Sequence, residues 1–201
     1  MRKKKEHRAK VLDVLEREAT DILLVDFGGV ISRCRRTKRC RQTEREFLMV
    51  DGLVDWLFAA PTSVDALTHA TPYMDILREL SVYRRIDIET IRTIMDVYAE
   101  ANALDTILLA ALQRCRPVSK LYILSNYWSN GREFITSKLD VHLFDGLFIS
   151  AEIGLKKPDP RLWTYLSETL MRPTSSMTLI DDDAENIDGA SKAGLKAYLW
   201  I

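Results

Sequence analysis

A short apolar run at residues 22–25 ends abruptly at Asp26, and Phe27-Gly28-Gly29 follows at once. A leucine and β-branched run of this length is typical of a buried strand, and the glycines after it predict a tight turn. Further strand-like runs occur at residues 120–125, 146–150, 177–181 and 196–200. Helical patterns separate them, at residues 129–139, 160–171 and 184–193. Strands and helices that alternate at these intervals predict a parallel α/β sheet with right-handed crossovers.

The stretch between the first two predicted strands has no pattern of a core strand. Its segments favour helices, at residues 44–60, 63–70, 73–81, 88–101 and 103–115. We therefore expect residues 31–100 to form a helical insertion, and residues 21–30 and 101–201 to form the α/β core. In residues 1–20, apolar side chains recur on one side of a helix and charges surround the rest, which predicts an amphipathic N-terminal helix.

Composition narrows the classes of partner. Lys and Arg together number 29, as do Asp and Glu, so the whole chain has no net field that attracts nucleic acid or an anionic membrane. Three cysteines make no disulfide framework and favour a reducing compartment. The sequence also lacks an apolar run near the roughly 18 residues that span a bilayer. We expect a cytoplasmic protein without nucleic-acid or membrane partners, and the oligomeric state is left open.

The charges are nevertheless unevenly distributed. Basic residues concentrate at 2–10 and 33–41, and acidic residues at 181–188. Three interpretations of the arginine-rich segment 33–41 remain: a solvated linker, a site for extra anionic groups of a substrate, or a contact with nucleic acid. Within the acidic stretch, Asp183 is interpreted as a cap of the helix that follows.

Polar residues follow the predicted strands at the points where the strands end. Asp26 follows the first strand, Ser125 and Asn126 follow the second, and three consecutive aspartates begin at Asp181 at the end of the fourth. A lysine-containing run, 154–160, follows the third. Ligands of parallel sheets bind off the carboxyl ends of the strands. One edge then gathers a nucleophile, oxygen ligands for a hard cation and donors to phosphoryl oxygens, which are the parts that phosphoryl transfer needs.

Four motifs, in this order, resemble those of the haloacid dehalogenase superfamily of aspartate-nucleophile phosphatases. They are LLVDFGGVI at 23–31, LYILSN at 121–126, FDGLFISAEIGLKKPDP at 144–160 and LIDDDAENIDGA at 179–190. Each motif alone is a weak signal, whereas four in order at workable spacing are specific. The resemblance covers about residues 21–200 outside the insertion. It implies a three-layer Rossmann-like parallel sheet with an α-helical cap inserted after the first strand.

The resemblance implies a role for each matching residue. Asp26 would attack phosphorus and form an aspartyl-phosphate. Ser125 and the Asn126 region would hold phosphoryl oxygens. Lys157 would neutralise charge between the nucleophile and the phosphate, and the register of the motif favours it over Lys156.

The cofactor that the resemblance implies is Mg²⁺, which prefers hard oxygen ligands. Asp26, the backbone carbonyl of Gly28 and Asp182 would ligate it, and Asp181 and Asn186 would support it from the first or second ligand shell. Without a cation and a lysine, the carboxylates would repel a phosphate dianion.

One position departs from the superfamily's usual pattern. Gly28 lies where a second aspartate usually serves as general acid and base, a contribution of roughly 10²–10⁴-fold in rate. Branches that resemble glucose-1-phosphatases also carry glycine there. Dehalogenases lack that aspartate too, but their chemistry needs no metal. The acidic run at 181–183 argues for magnesium and therefore against dehalogenation.

The expected function is Mg²⁺-dependent hydrolysis of a phosphomonoester. A helical cap that closes over the site excludes folded proteins, so the expected partner is a small phosphorylated metabolite. Two alternatives remain: a catalytically weak or silent binding protein, and an enzyme that acts on diphosphate esters.

Overall fold

The computed structural model describes residues 2–18, 20–33, 45 and 57–201 of the chain. The helices in this part of the chain are α1 Arg2–Arg17, α2 Pro61–Asp65, α3 Tyr73–Arg84, α4 Ile88–Glu100, α5 Thr106–Cys115, α6 Gly131–Lys138, α7 Ser150–Ile153, α8 Pro160–Leu170 and α9 Ala184–Lys192. The strands are β1 Ile22–Val25, β2 Lys120–Ser125, β3 Gly146–Ile149, β4 Met177–Asp181 and β5 Lys196–Leu199. The arginine-rich segment beyond Arg33, Cys34, Cys40 and most of the predicted helix at 44–60 lie outside the described residues.

The five strands form one parallel sheet in the order β3-β2-β1-β4-β5. β1 lies in the centre, with Leu23 opposite Leu121 on one side and Thr178 on the other. All four β1 residues are buried, because the strand has neighbours on both edges and helices on both faces. This explains why the run at 22–25 is continuously apolar rather than alternating. The predicted three-layer α/β fold is confirmed.

Successive β1 side chains enter two different hydrophobic clusters, as the period of two in a strand requires. Leu23 and Val25 pack with helices α1, α5 and α6, whereas Ile22 and Leu24 pack with α8 and α9. The N-terminal helix is therefore part of the core on one face, through Val11 and Leu15. No helix in the described part of the chain is both long and apolar enough to cross a membrane.

The chain leaves the α/β core after β1 and re-enters it before β2 at a crossing, where the two segments lie side by side and hydrogen-bond to each other. The Arg33 backbone N–H donates to the Ala103 carbonyl at 2.8 Å, and the Asp105 N–H donates to the Ile31 carbonyl at 2.8 Å. Asp105 is fully buried, and its carboxylate accepts from the Arg33 side chain at 2.6 Å and from Arg8 of α1 at 3.3 Å. The crossing is thus held by backbone hydrogen bonds and by a buried carboxylate.

The described helices of the insertion, α2 to α4, have a hydrophobic cluster of their own. Leu57, Ile76, Leu77, Ile91 and Ile94 are among its fully or almost fully buried members. The cluster also contains Trp128, which belongs to the loop after β2.

Among the predicted boundaries that differ from the structure, two have a clear local cause. The helix expected at 63–70 is Pro61–Asp65, because Pro61 begins the helix in its first turn, where a missing N–H costs nothing. The strand expected at 146–150 ends at Ile149, and Ser150 begins the short helix α7, which Gly154 ends with a positive φ of 73°.

Candidate active site

The structure brings Asp26, Lys157, Asp181 and Asp182 together at the carboxyl edge of the sheet. Asp26 follows β1 directly, and Asp181 ends the neighbouring strand β4. Lys157 comes from the loop between α7 and α8. Asp26 is 8% exposed, Lys157 2% and Asp181 0%, so three charged side chains are buried within one small region.

Lys157 is the centre of this arrangement. Its Nζ lies 2.9 Å from Asp26 Oδ1 and 2.6 Å from Asp181 Oδ2, and it donates to the Leu124 carbonyl at 2.8 Å. Three acceptors match the three N–H groups of an ammonium. Burial alone would lower the pKa of Lys157, but Asp26 and Asp181 outweigh burial and hold the pKa above its ordinary value. The charged form of the lysine is therefore favoured in this position.

The carboxyl group of Asp26 has a raised pKa. Burial, with the nearby carboxylates of Asp181 and Asp182, raises its pKa to about 7 against the lowering effect of Lys157. Three carboxylates accompany one lysine, so the site carries an excess of negative charge when all are ionised. A group of this kind favours the binding of a cation.

Asp26, Asp181 and Asp182 could together hold a metal ion. Each offers a carboxylate oxygen, and these oxygens lie within 4.8 Å of one another. Oxygen ligands about 2.1 Å from Mg²⁺ lie roughly 3–4 Å apart, so a small inward movement would close the group around such an ion. The residues present therefore fit a hard divalent cation.

The turn after Asp26 leaves Gly28 exposed, with free space beside its Cα. Gly29 has a φ of 81°, a left-handed conformation that glycine adopts without strain, and its N–H donates to the Ser32 carbonyl at 2.7 Å. Gly28 is exposed, and a Cβ added there would meet nothing within 4 Å. The position two residues past Asp26 thus has room for a side chain that the sequence does not supply.

Asn126 is bound to the backbone of Lys157 in both directions. Its Nδ2 donates to the Lys157 carbonyl at 2.9 Å, and its Oδ1 accepts from the Lys157 N–H at 2.9 Å. Ser125, at the end of β2, is 3% exposed. The side chain of Asn126 therefore orients the loop that carries Lys157.

Asp181 is fixed by three neighbours. Its Oδ2 accepts from Lys157, and its Oδ1 accepts from the Asp183 N–H at 2.8 Å and from Asn186 Nδ2 at 3.1 Å. The Asp183 side chain accepts from the Glu185 N–H and caps α9, as the sequence predicts. Asp181 and Asn186 are thus placed to support the cluster, while Asp183 supports the helix.

Comparison with solved structures identifies this fold. A haloacid dehalogenase family enzyme from Bacteroides thetaiotaomicron, solved as a magnesium complex, superposes with a TM-score of 0.74 at 17% identity, over 90% of this chain and 93% of that one. The chain has the haloacid dehalogenase fold. The predicted resemblance to that superfamily is confirmed at the level of the fold. An L-2-haloacid dehalogenase has the same fold, with a TM-score of 0.65 at 17% identity over 89% of this chain and 83% of that one.

Curated relatives match shorter segments of this haloacid dehalogenase-fold chain. A phosphatase of Mycobacterium tuberculosis is 42% identical over 57 residues, which are 28% of this chain and 26% of that protein. Drimenol cyclase of Aspergillus calidoustus is 27% identical over 96 residues, which are 47% of this chain and 18% of that enzyme. The chain thus spans about a quarter or less of these relatives. No protein-family model matches it.

Sequence reasoning missed the contacts that hold the site in place. The Leu124 carbonyl that accepts from Lys157 is a backbone group, and no residue type marks it. The pairing of Asn126 with the Lys157 backbone joins two loops 31 residues apart. The aromatic pair Tyr127-Trp128 directly after Asn126 was a signal that could have drawn attention to that loop.

Proposed function

We propose that this protein is a Mg²⁺-dependent phosphomonoester hydrolase that acts on a small phosphorylated metabolite through an aspartyl-phosphate on Asp26. The observation that supports it most is the buried Lys157, within 3 Å of both Asp26 and Asp181 beside a third carboxylate. A buried ammonium between carboxylates can admit a phosphate dianion that the carboxylates alone would repel.

The proposed reaction has two steps. A carboxylate oxygen of Asp26 attacks phosphorus, the bond from phosphorus to the ester oxygen breaks, and the departing alkoxide takes a proton from water. The hydroxide that this leaves takes up the proton that the attacking water loses in the second step. A water molecule then attacks phosphorus in the aspartyl-phosphate, releases inorganic phosphate and restores the carboxylate. Lys157 neutralises charge between the nucleophile and the phosphoryl group in both steps. Ser125 and the backbone N–H of Asn126 would donate to phosphoryl oxygens.

Asp26, Asp182 and the Gly28 carbonyl would hold the cation, with Asp181 and Asn186 supporting it. When bound, Mg²⁺ would neutralise negative charge shared by the phosphate and the carboxylates. The enzyme from Bacteroides thetaiotaomicron was also crystallised with magnesium and inorganic phosphate, which supports this choice of cation and ligand. We further propose that the insertion, residues 31–100, acts as a cap over the site.

The test of this function is phosphate release from a panel of phosphorylated metabolites, with Mg²⁺ and with excess chelator. We expect release from at least one phosphomonoester that depends on Mg²⁺. Activity on 2-haloacids in the presence of chelator would favour the dehalogenase alternative. Tight phosphate binding without turnover would favour a silent binding protein.

Asp182→Ala should weaken Mg²⁺ binding by about tenfold or more and reduce turnover in parallel, because it removes one carboxylate ligand. The measurement is titration calorimetry with Mg²⁺, followed by the rate against Mg²⁺ concentration. Asp183→Ala is the matched control, since that side chain caps α9. The control should cost about 1 kcal/mol of stability and leave Mg²⁺ affinity unchanged. Equal Mg²⁺ affinities in wild type and Asp182→Ala would contradict the ligand assignment.

Gly28 predicts a steep dependence of kcat/KM on the acidity of the leaving alcohol. With no carboxylic acid there to protonate the departing oxygen, anomeric, aryl and acyl phosphates should react faster than primary alkyl phosphates. Gly28→Asp should flatten the dependence and raise the alkyl rates by about tenfold or more, because the added side chain has room. Gly28→Ala is the control, since it adds the Cβ without the acid. If kcat/KM in the wild type did not depend on the acidity of the leaving alcohol, another residue would donate the proton.

A further inference from the structure

Trp128 joins the loop after β2 to the helical insertion. It follows Asn126 by two residues, yet its indole is 2% exposed and belongs to the hydrophobic cluster of the insertion. Phe58 stacks on the indole with ring centroids 5.1 Å apart, and Tyr73 stacks at 6.0 Å. A side chain of the core therefore packs against two rings of the insertion.

Hydrogen bonds give this contact a single position. Trp128 Nε1 donates to the Ser63 carbonyl at 2.9 Å, and the pair is buried. The next residue, Ser129, donates from its Oγ to the Thr71 carbonyl at 2.6 Å. A buried donor or acceptor left without a partner is costly, so sliding of the insertion across this loop is disfavoured.

The same loop is tied to the catalytic edge at its other end. The Tyr127 N–H donates to Ser150 Oγ at 3.0 Å, and Asn126 exchanges two hydrogen bonds of 2.9 Å with the Lys157 backbone. Lys157 in turn contacts Asp26. Short, directional contacts thus run without interruption from the insertion to the nucleophile.

Aromatic rings provide a second connection. Phe27, the residue after Asp26, meets Phe134 at 6.0 Å between ring centroids in an edge-to-face contact. Phe134 stacks on Tyr127 at 5.4 Å, and Tyr127 meets Trp128 at 6.3 Å. Movement of Trp128 would therefore disturb both loops of the site.

We propose that Trp128 is a positioning residue that seats the insertion on the loop after β2 and couples this seating to ligand binding at the carboxyl edge. The inference rests on the proposed function and deepens it, since it states how the cap is held to the phosphate-binding loop. Trp128 acts through Asn126 and Lys157 and does not touch the reacting atoms.

Trp128→Phe is the informative variant, because it keeps an apolar ring against Phe58 and Tyr73 but removes the N–H that donates to the Ser63 carbonyl. Trp163→Phe is the matched control. Trp163 is also 2% exposed but belongs to the separate hydrophobic cluster under α8 and α9, and its Nε1 has no hydrogen-bond partner among the described residues.

The measurement is amide hydrogen exchange over residues 63–71, with and without Mg²⁺ and inorganic phosphate. In the wild type and in Trp163→Phe, the two ligands should slow exchange of these amides by about tenfold. In Trp128→Phe the amides should exchange about tenfold faster without ligand, and the ligands should protect them little. For an aryl phosphate, KM should rise about tenfold in Trp128→Phe with kcat nearly unchanged.

The inference would be overturned by a lack of protection of these amides by Mg²⁺ and phosphate in the wild type, or by full protection in Trp128→Phe. Equal losses of protection in Trp128→Phe and Trp163→Phe would also overturn it, since they would indicate general loosening. Protection in a wild type that hydrolyses no phosphoester would leave this inference supported and would defeat the proposed hydrolase function alone.

Discussion

Asp26→Asn should reduce Mg²⁺-dependent phosphate release to the background rate, a loss of about 10⁴-fold or more, because an amide oxygen cannot replace the attacking carboxylate. The fold should survive. Burial raises the pKa of Asp26 to about 7, so the neutral form of this side chain is tolerated where the amide would lie. The thermal midpoint at pH 8 should be equal to that of the wild type or higher, since the variant buries one charge fewer.

The measurement is a rate assay on the most active phosphoester together with a thermal melt. Ser125→Ala is a useful comparison, since it removes a proposed phosphate contact without removing the nucleophile. Ser125→Ala should lose less activity than Asp26→Asn, and part of its loss should be a rise in KM. A comparable rate in Asp26→Asn and wild type would exclude the aspartyl-phosphate mechanism.

Lys157→Met should be the most destabilising of these substitutions. It leaves Asp26 and Asp181 without their shared cation, and an uncompensated buried charge costs about 3–5 kcal/mol. For a chain of this length that corresponds to a fall of roughly 10 °C in the thermal midpoint. Activity should be lost as well, because the phosphate dianion would meet carboxylates without the lysine.

Lys156→Met is the matched control for this prediction. Lys156 precedes Lys157 in the chain but is only partly buried, so its removal should leave stability and rate nearly unchanged. Adding Asp181→Asn to Lys157→Met should recover part of the lost stability, since it removes one of the unpaired charges. A stable, active Lys157→Met protein would contradict the role of the lysine. Loss of activity in Lys156→Met alone would shift that role to the neighbouring residue.

Much of the fold was predictable because a buried strand of a parallel sheet appears in the sequence as a short apolar run. The apolar run at 22–25 is followed directly by Asp26, and the largely apolar run at 177–181 ends in Asp181, so the sheet and its carboxyl edge follow from the pattern. The gathering of Asp26, Asp181 and Lys157 was expected from that edge. Helix ends such as Asp183 were predictable because a cap acts on its own neighbours.

The remaining features depend on contacts between distant parts of the chain. Trp128 bonds to Ser63, 65 residues earlier, and no local pattern marks that acceptor. The Leu124 carbonyl and the Asn126 pairing with Lys157 are likewise tertiary features. The error at 63–70 has a local cause, since Pro61 shifts the helix toward its N-terminal end.

The most direct test of the central claim is chemical trapping of the intermediate. Wild-type protein with Mg²⁺ and its best phosphoester would be quenched during turnover and treated with borohydride, which reduces an acyl phosphate on aspartate to homoserine. Mass spectrometry of the peptides then locates the modified residue. We expect homoserine at position 26, only when substrate is present, and none in Asp26→Asn. Modification of a different aspartate during turnover, with Asp26 unchanged, would contradict the mechanism.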